Sequence, residues 1–183
     1  MSTHVMIDLE TLGVNPNCII LTFGAVKFDP CTNKEPYDPI HVKVNIDEQT
    51  ALNRTIDDDT LEWWNKQDKQ IREEALSEDN RIGLDEFTRI FNKYIVGCDY
   101  LWCKGPMFDY AILRDLYVQL NTPIPWAFWQ IRDCRTLFGL MTREERNFMM
   151  EQQNMAHNAL ADAYFQAQWV QEVFKQFEIK HGN

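Results

Sequence analysis

The feature that most constrains this chain is a short apolar segment near its N-terminus that carries two acidic residues. Residues 5–10 read Val-Met-Ile-Asp-Leu-Glu, with Asp8 and Glu10 two positions apart. Side chains two apart on a β-strand share one face, so these carboxylates would lie roughly 6.5 Å apart along the strand. Ionised carboxylates this close repel each other, and divalent cations held between them would relieve the repulsion. The pattern predicts either a metal site or a solvated strand end.

Composition and charge indicate one well-filled domain. The chain has 183 residues, of which 45% are hydrophobic, so we expect residues 1–183 to form a single domain. A net charge of −10 argues against nonspecific nucleic-acid binding by phosphate neutralisation, so any nucleic acid would be held locally. Five cysteines without a CxxC pair predict reduced thiols, and no apolar run is long enough for a membrane span. We therefore expect a cytoplasmic protein with no membrane partner.

The order of apolar patterns predicts an α/β fold with a mixed sheet. Three β-rich segments come first and suggest an antiparallel meander, after which helical periodicity alternates with single strands. The predicted strands are residues 5–10, 18–28, 41–46, 100–103 and 129–133. The predicted helices are residues 61–76, 84–95, 108–120 and 158–177, with a short helix opened by a possible capping box at 142–145.

Three further residues are candidates for the same site as Asp8 and Glu10. Asp109 lies in the first turn of a predicted helix, on its leucine-bearing face, so its carboxylate would point toward the sheet; alternatively it caps free N–H groups. His157 and Asp162 are five apart, and both can face one site only if His157 precedes a helix capped by Asn158. A lone histidine or helical aspartate is more often structural or solvated. Together, however, the acids and the imidazole supply oxygen ligands for hard divalent ions and one titratable base.

Three motifs in the chain resemble those of DEDD-type 3′–5′ exonucleases. Asp8-Leu9-Glu10-Thr11 resembles the first motif, D-x-E-T, and Phe108-Asp109 resembles the second. Residues 157–163 match the third motif in its DEDDh form, H-x-A-x-x-D-A. Their joint occurrence in family order is far more specific than D-x-E alone. Residues 60–64, 105–109 and 132–136 further resemble the branch that includes the exonuclease A of T-even phages and a small mycobacterial exoribonuclease.

The resemblance implies a ribonuclease H-like fold with helices on both faces of the sheet. It implies metal-dependent release of 5′-mononucleotides from single-stranded 3′ ends of DNA or RNA, with nucleic-acid ends as partners. In this interpretation Asp8, Glu10, Asp109 and Asp162 hold two Mg²⁺ or Mn²⁺ ions, and His157 is the general base. Relatives that dimerise also allow a homodimer. The alternative is a catalytically silent module on the same fold, which binds nucleic acid or a partner protein.

The resemblance also implies residues that contact substrate. Thr11 and Leu12 correspond to positions that contact the terminal nucleotide, with Leu12 as a wedge against its base, and Phe108 is a further candidate. Trp63 and Trp64 would diverge by roughly 100° on a helix, so one of them could stack on a base. The alternative is that both tryptophans lie along the rims of the core.

Two arginines and one glycine complete the candidate set. Arg132 and Arg135 would either contact phosphates or pair with Asp133 and neighbouring acids. Gly105 departs from the family pattern, since many relatives carry Asn four residues before the second-motif aspartate. A substrate hydrogen bond would therefore be missing or be supplied by another residue.

Overall fold

The structure is a computed structural model that describes residues 2–153 and 157–180. The domain predicted over residues 1–183 extends beyond these ranges, so its full extent stays a prediction. Six strands form one sheet in the order β4-β3-β2-β1-β5-β6. The strands are β1 (His4–Thr11), β2 (Ile20–Phe28), β3 (Tyr37–Val44), β4 (Arg81–Ile82), β5 (Tyr100–Cys103) and β6 (Ile131–Asp133).

The strand pairings confirm the predicted mixed sheet. β1 pairs antiparallel with β2, and β2 pairs antiparallel with β3, which forms the expected meander. β5 lies parallel to β1, and β6 lies parallel to β5. β4, a two-residue strand parallel to β3, was not predicted because so short a segment carries no alternation. β1 is therefore a central strand with a ladder on each side.

Eight helices pack around this sheet in the described part of the chain. They are α1 (Ile46–Ala51), α2 (Asp58–Asn65), α3 (Lys69–Leu76), α4 (Leu84–Tyr94), α5 (Asp109–Gln119), α6 (Cys134–Phe138), α7 (Arg143–Glu151) and α8 (Ala159–Gln176). The helix expected over residues 61–76 is two helices, because Asp68 starts α3 by accepting a hydrogen bond from the Gln70 N–H at 2.8 Å. Residues 128–130 form a 3₁₀ turn rather than the start of β6.

The alternation of β1 separates two hydrophobic cores. Val5, Ile7 and Leu9 face the core that contains residues of α4 and α5. Met6 faces the opposite core, which contains residues of α6 and α8. Helices therefore cover both faces, as the family resemblance implied. Asp8 and Glu10 continue the Met6 side of the strand, and this places their carboxylates beneath the N-terminal part of α8.

A glycine in β2 lets α8 approach the sheet at this position. Gly24 pairs with Asp8 across the β1–β2 ladder. A Cβ on Gly24 would lie 2.2 Å from the carbonyl carbon of Ala159, the first residue of α8. Any side chain there would push the helix start away from the strand, so the missing Cβ fixes the distance between Asp8 and α8.

The described ranges contain no helix with the length and apolar character that crossing a bilayer requires.

Candidate active site

One cleft of about 350 Å³ brings together the five residues predicted to be catalytic. They come from four places in the sequence: β1, the first turn of α5, the turn before α8, and α8 itself. The residues are Asp8, Glu10, Asp109, His157 and Asp162. Their convergence is a finding of the structure, whereas their individual catalytic roles stay a prediction.

Asp109 is the most buried of the predicted acids. It is the first residue of α5 and is 3% exposed, so its carboxylate lies inside the protein as the leucine-bearing face indicated. Burial raises the pKa of Asp109 to about 7, while hydrogen bonding from Cys103 and from the Leu9 backbone opposes that rise. The Arg135 charge also lowers this pKa. Asp109 is thus tied to β5 and to β1 as well as to its own helix.

Glu10, His157 and Asp162 form the tightest group in the cleft. One ligand atom from each side chain lies within 4.8 Å of the others. The His157 N–H donates to Asp162 Oδ2 at 2.9 Å, and Asn158 caps α8 by accepting from the Ala161 N–H at 3.0 Å. The prediction that His157 precedes a helix capped by Asn158 is confirmed. His157 has a φ of +68°, a left-handed conformation that side chains other than glycine adopt infrequently.

Electrostatics indicate that this cluster could hold cations. Burial, followed by the charges of Asp109, Glu10 and Asp162, raises the pKa of Asp8 well above its ordinary value. Burial and the charges of Asp162 and Asp109 raise the pKa of Glu10 to about 8. The metal-free cluster therefore retains protons at neutral pH. Divalent ions would replace those protons and make all four carboxylates ionise. An all-oxygen set of this kind fits a hard divalent ion.

Two glutamines that were not predicted hold the acids in place. Gln166 lies one turn after Asp162 on α8, is 7% exposed, and donates from Nε2 to Asp8 Oδ1 at 2.9 Å. Gln153 donates from Nε2 to Asp162 Oδ1. The only sequence signal for Gln166 was its four-residue spacing from Asp162, which places both side chains on one helix face. Gln153 carried no signal, because its contact depends on tertiary packing.

A second cavity adjoins the carboxylate cleft and shares Glu10 and Phe108 with it. This adjoining groove has a volume of about 540 Å³ and is also lined by Thr11, Val14 and Trp63. Trp63 is 37% exposed, and its ring contacts the His157 ring edge-to-face at a centroid distance of 4.7 Å. Thr11, Trp63 and Phe108, which were predicted to contact substrate, therefore lie together beside the acids.

Leu12 and Trp64 require a correction. Leu12 is 4% exposed and packs in a core cluster with Ile19, Leu21 and Trp64, so its side chain is not available as a wedge against a base. Trp64 is 1% exposed and donates from Nε1 to the Thr11 carbonyl at 2.9 Å. Its role is to hold the end of β1. The two tryptophans diverge as expected, with one in the core and one in the groove.

The two arginines also diverge. Arg132 stacks on the Tyr100 ring at 4.0 Å and donates to the carbonyls of Trp129 and Ile131, so its contacts are structural. Arg135 instead lines the carboxylate cleft. Asp133 caps α6 by accepting from the Arg135 backbone N–H at 2.9 Å. Within residues 2–153 and 157–180, Asp133 forms no ion pair with either guanidinium, so the structure does not support the alternative in which the arginines pair with Asp133.

Comparison with known proteins identifies the family. The model of the 3′-5′ exoribonuclease Rv2179c-like domain matches residues 3–174. The chain belongs to this family. The match includes all five predicted catalytic residues, so the family assignment and the convergence in the cleft concern the same part of the protein.

Known relatives agree with this assignment. The chain is 27% identical over 158 residues to an exodeoxyribonuclease of Enterobacteria phage T4, covering 80% of this chain and 63% of the phage protein. The nuclease domain of 3′hExo, a DEDDh family member bound to rAMP, has a TM-score of 0.68 and 15% identity, covering 100% of this chain and 96% of that one. Cell-death related nuclease 4 (CRN-4) has a TM-score of 0.67 and 18% identity, covering 96% and 64%. At these identities the two structures show a shared ribonuclease H-like fold.

Proposed function

We propose that this protein is a metal-dependent 3′–5′ exonuclease that releases 5′-mononucleotides from single-stranded ends. The observation that carries the proposal is the convergence of Asp8, Glu10, Asp109 and Asp162 in one cleft, with His157 beside them. Membership of an exoribonuclease family and the similarity to a phage exodeoxyribonuclease support it. Because one name refers to RNA and the other to DNA, the proposal includes both substrates.

The four carboxylates are proposed to hold two Mg²⁺ or Mn²⁺ ions. Such a pair, when bound, stabilises charge on the attacking and leaving oxygens of a phosphodiester. The protein supplies the geometry: Asp8 and Glu10 project from one face of β1, and Asp109 and Asp162 approach from α5 and α8. Gln166 orients Asp8 through its hydrogen bond and so leaves the second Asp8 oxygen for an ion.

His157 is proposed to accept the proton of the attacking water. Its ligand atom lies within 4.8 Å of oxygens of Glu10 and Asp162, close enough to reach a water held among the acids. An imidazole can accept a proton near neutral pH, whereas carboxylates engaged by cations cannot serve as the base. Trp63 contacts the ring edge-to-face and limits how the imidazole can turn.

The adjoining groove is proposed to hold the terminal nucleotide. Trp63 and Phe108 offer aromatic surfaces to a base, and Thr11 lies at the boundary with the acids. Stacking of one base on an aromatic side chain contributes about 1–3 kcal/mol. The 3′hExo domain, which shares the fold, was solved with a nucleoside monophosphate bound.

The test is cleavage of 5′-labelled single strands of DNA and RNA with Mg²⁺ or Mn²⁺. We expect the wild-type protein to shorten the strands stepwise from the 3′ end and EDTA to stop the reaction. Asp8→Asn should lower the rate on the order of 10³-fold, because the several kcal/mol of metal-ion stabilisation are lost. Asp79→Asn, the same change at an exposed turn residue, should leave the rate unchanged.

Two results would contradict the proposal. Release of mononucleotides at the normal rate from a strand with a blocked 3′ end would exclude the 3′–5′ polarity. Binding of Mn²⁺ in calorimetry without hydrolysis of any strand would favour the silent binding module instead.

A further inference from the structure

Two cations line the carboxylate cleft but not the adjoining groove. Lys104 and Arg135 both belong to the wall of the cleft, and neither belongs to the wall of the groove. Glu10 and Phe108 are shared by the two cavities and form their boundary. A strand whose terminal nucleotide occupies the groove would therefore meet these two cations only in the cleft.

The guanidinium of Arg135 is not used by the fold. Within the described ranges, Arg135 forms no ion pair, and its side chain makes no hydrogen bond to another group. Arg132, three residues earlier, has its guanidinium engaged by two carbonyls and an aromatic ring. The charge of Arg135 lowers the pKa of Asp109, which shows that it acts on the cleft without contacting the carboxylate.

Gly105 provides the space that the Arg135 side chain occupies. Its φ is +115°, and a Cβ at this position would lie 2.7 Å from Arg135 Nη1. At the other end of the residue, the Arg135 backbone N–H is fixed by the Asp133 cap at the start of α6. Lys104 directly precedes Gly105 in the segment between β5 and α5, and the Arg135 side chain reaches the same segment from α6.

We infer that Arg135, together with Lys104, binds the phosphodiester immediately 5′ to the scissile one. The inference rests on the proposed function. A 3′-terminal nucleotide contributes only the scissile phosphate, so any second phosphate in the cleft belongs to the rest of the strand. Guanidinium groups bind phosphate through charge-assisted and often bidentate hydrogen bonds. In a chain of net charge −10, these two cations in an acidic cleft, which form no ion pair within the described ranges, provide a local anchor for that phosphate.

The experiment removes the charge either from Arg135 or from the phosphodiester that it is inferred to bind. Two pentanucleotides of the same sequence are compared, one with natural linkages and one with a neutral methylphosphonate between the second and third nucleotides from the 3′ end. Release of the 3′-terminal nucleotide is measured as kcat/KM for wild type and Arg135→Gln. We expect Arg135→Gln to lower kcat/KM about tenfold on the natural strand and less than about twofold on the neutral one.

Matched variants separate this effect from a general loss of charge. Arg89→Gln removes a positive charge from the exposed face of α4 and should not distinguish the two strands. Lys104→Gln should give a smaller loss with the same dependence on the upstream phosphate. Mn²⁺ binding to Arg135→Gln, measured by calorimetry, should be no weaker than binding to wild type, because Arg135 contacts none of the acids and the loss of a positive charge does not repel a cation.

Three results would overturn the inference. An equal loss on both strands would place Arg135 at the scissile phosphate or in the fold, and no loss on either strand would remove it from substrate binding. Weaker Mn²⁺ binding by Arg135→Gln would assign the loss to the metal site. If the wild-type protein released no nucleotide from either strand, the proposed function itself would fail, and the inference with it.

Discussion

The carboxylate cleft and the adjoining groove share a wall, but the protein builds them differently. Glu10, Asp109 and Asp162 are buried and Asp8 is partly buried. These acids project from the central strand and from the first turns of two helices. The groove also contains exposed side chains, with Val14 71% and Trp63 37% accessible. Burial makes the acids costly to ionise and dependent on cations, whereas exposure leaves the aromatic groups available to a base. The proposed chemistry thus lies in the more buried part of the site, and the proposed recognition of the base at its more exposed part.

The adjacent tryptophans give the sharpest way to test this difference. Trp64→Ala should lower the free energy of unfolding by about 3–5 kcal/mol, because a fully buried ring is lost from the core. Trp63→Ala should change it by less than about 1 kcal/mol and raise KM roughly 5- to 100-fold through lost stacking. Urea unfolding and steady-state kinetics measure the two effects. A Trp63→Ala protein with unchanged KM would remove the groove from substrate binding.

Gly24→Ala tests how closely the cleft depends on packing. The new Cβ would collide with the backbone of Ala159, so we expect a destabilisation of about 1–3 kcal/mol. Displacing the start of α8 also shifts Asp162, and a shift of about 1 Å can cost on the order of 10²-fold in kcat. Gly139→Ala is the matched control, because its Cβ would meet its nearest neighbours at 3.4 Å. A normal kcat in Gly24→Ala would contradict the expectation that catalysis depends on the close approach of α8 to β2.

A further test concerns the pH dependence of thermal stability. In the metal-free protein the pKa of Glu10 is raised to about 8 from an ordinary value of 4.5. Between these values the folded state binds more protons than the unfolded state, so stability falls as pH rises. Melting temperatures with EDTA should therefore decrease from pH 5 to pH 8. Added Mn²⁺ should raise them more at pH 8, since the carboxylates then bind the ion without first losing protons.

Glu10→Gln is the control for this prediction, because it removes the titrating group while preserving the shape of the side chain. Its melting temperature should depend less on pH. Each kcal/mol removed from the pH-dependent part of the free energy of unfolding should change the melting temperature by about 2–4 °C. A pH profile identical to that of wild type would mean that Glu10 is not the group responsible.

Local sequence patterns predicted the acids because their placement follows from local geometry. The spacing of Asp8 and Glu10 defines one face of a strand, and the position of Asp109 in its helix defines a buried face. His157 was placed before its helix by the need for it to share a site with Asp162. These inferences need only the repeats of strand and helix, which sequence alone contains.

The contacts that support the acids depend on elements distant in sequence. Gly24 has no evident role in the sequence, because its function depends on the close approach of Ala159 in the folded structure. Gln166 reaches Asp8 across 158 positions of sequence, and no periodicity reveals such a contact. Leu12 was predicted to contact substrate from its position in the family motif, yet its side chain packs against Trp64 in the core. Tertiary packing decides these cases, and local patterns do not contain it.

The strand pairing of β1 should make hydrogen exchange at Asp8 and Glu10 slower than at His157. Asp8 and Glu10 pair with Gly24 and Thr22 in the β1–β2 ladder, whereas the pairing of β1 with β5 ends at Met6. Exchange of their amide protons with deuterated solvent should therefore require opening of the β1–β2 ladder. His157 lies outside any ladder and is secured by one hydrogen bond and one ring contact. We therefore expect the amide protons of Asp8 and Glu10 to exchange slowly, and that of His157 to exchange faster through local opening.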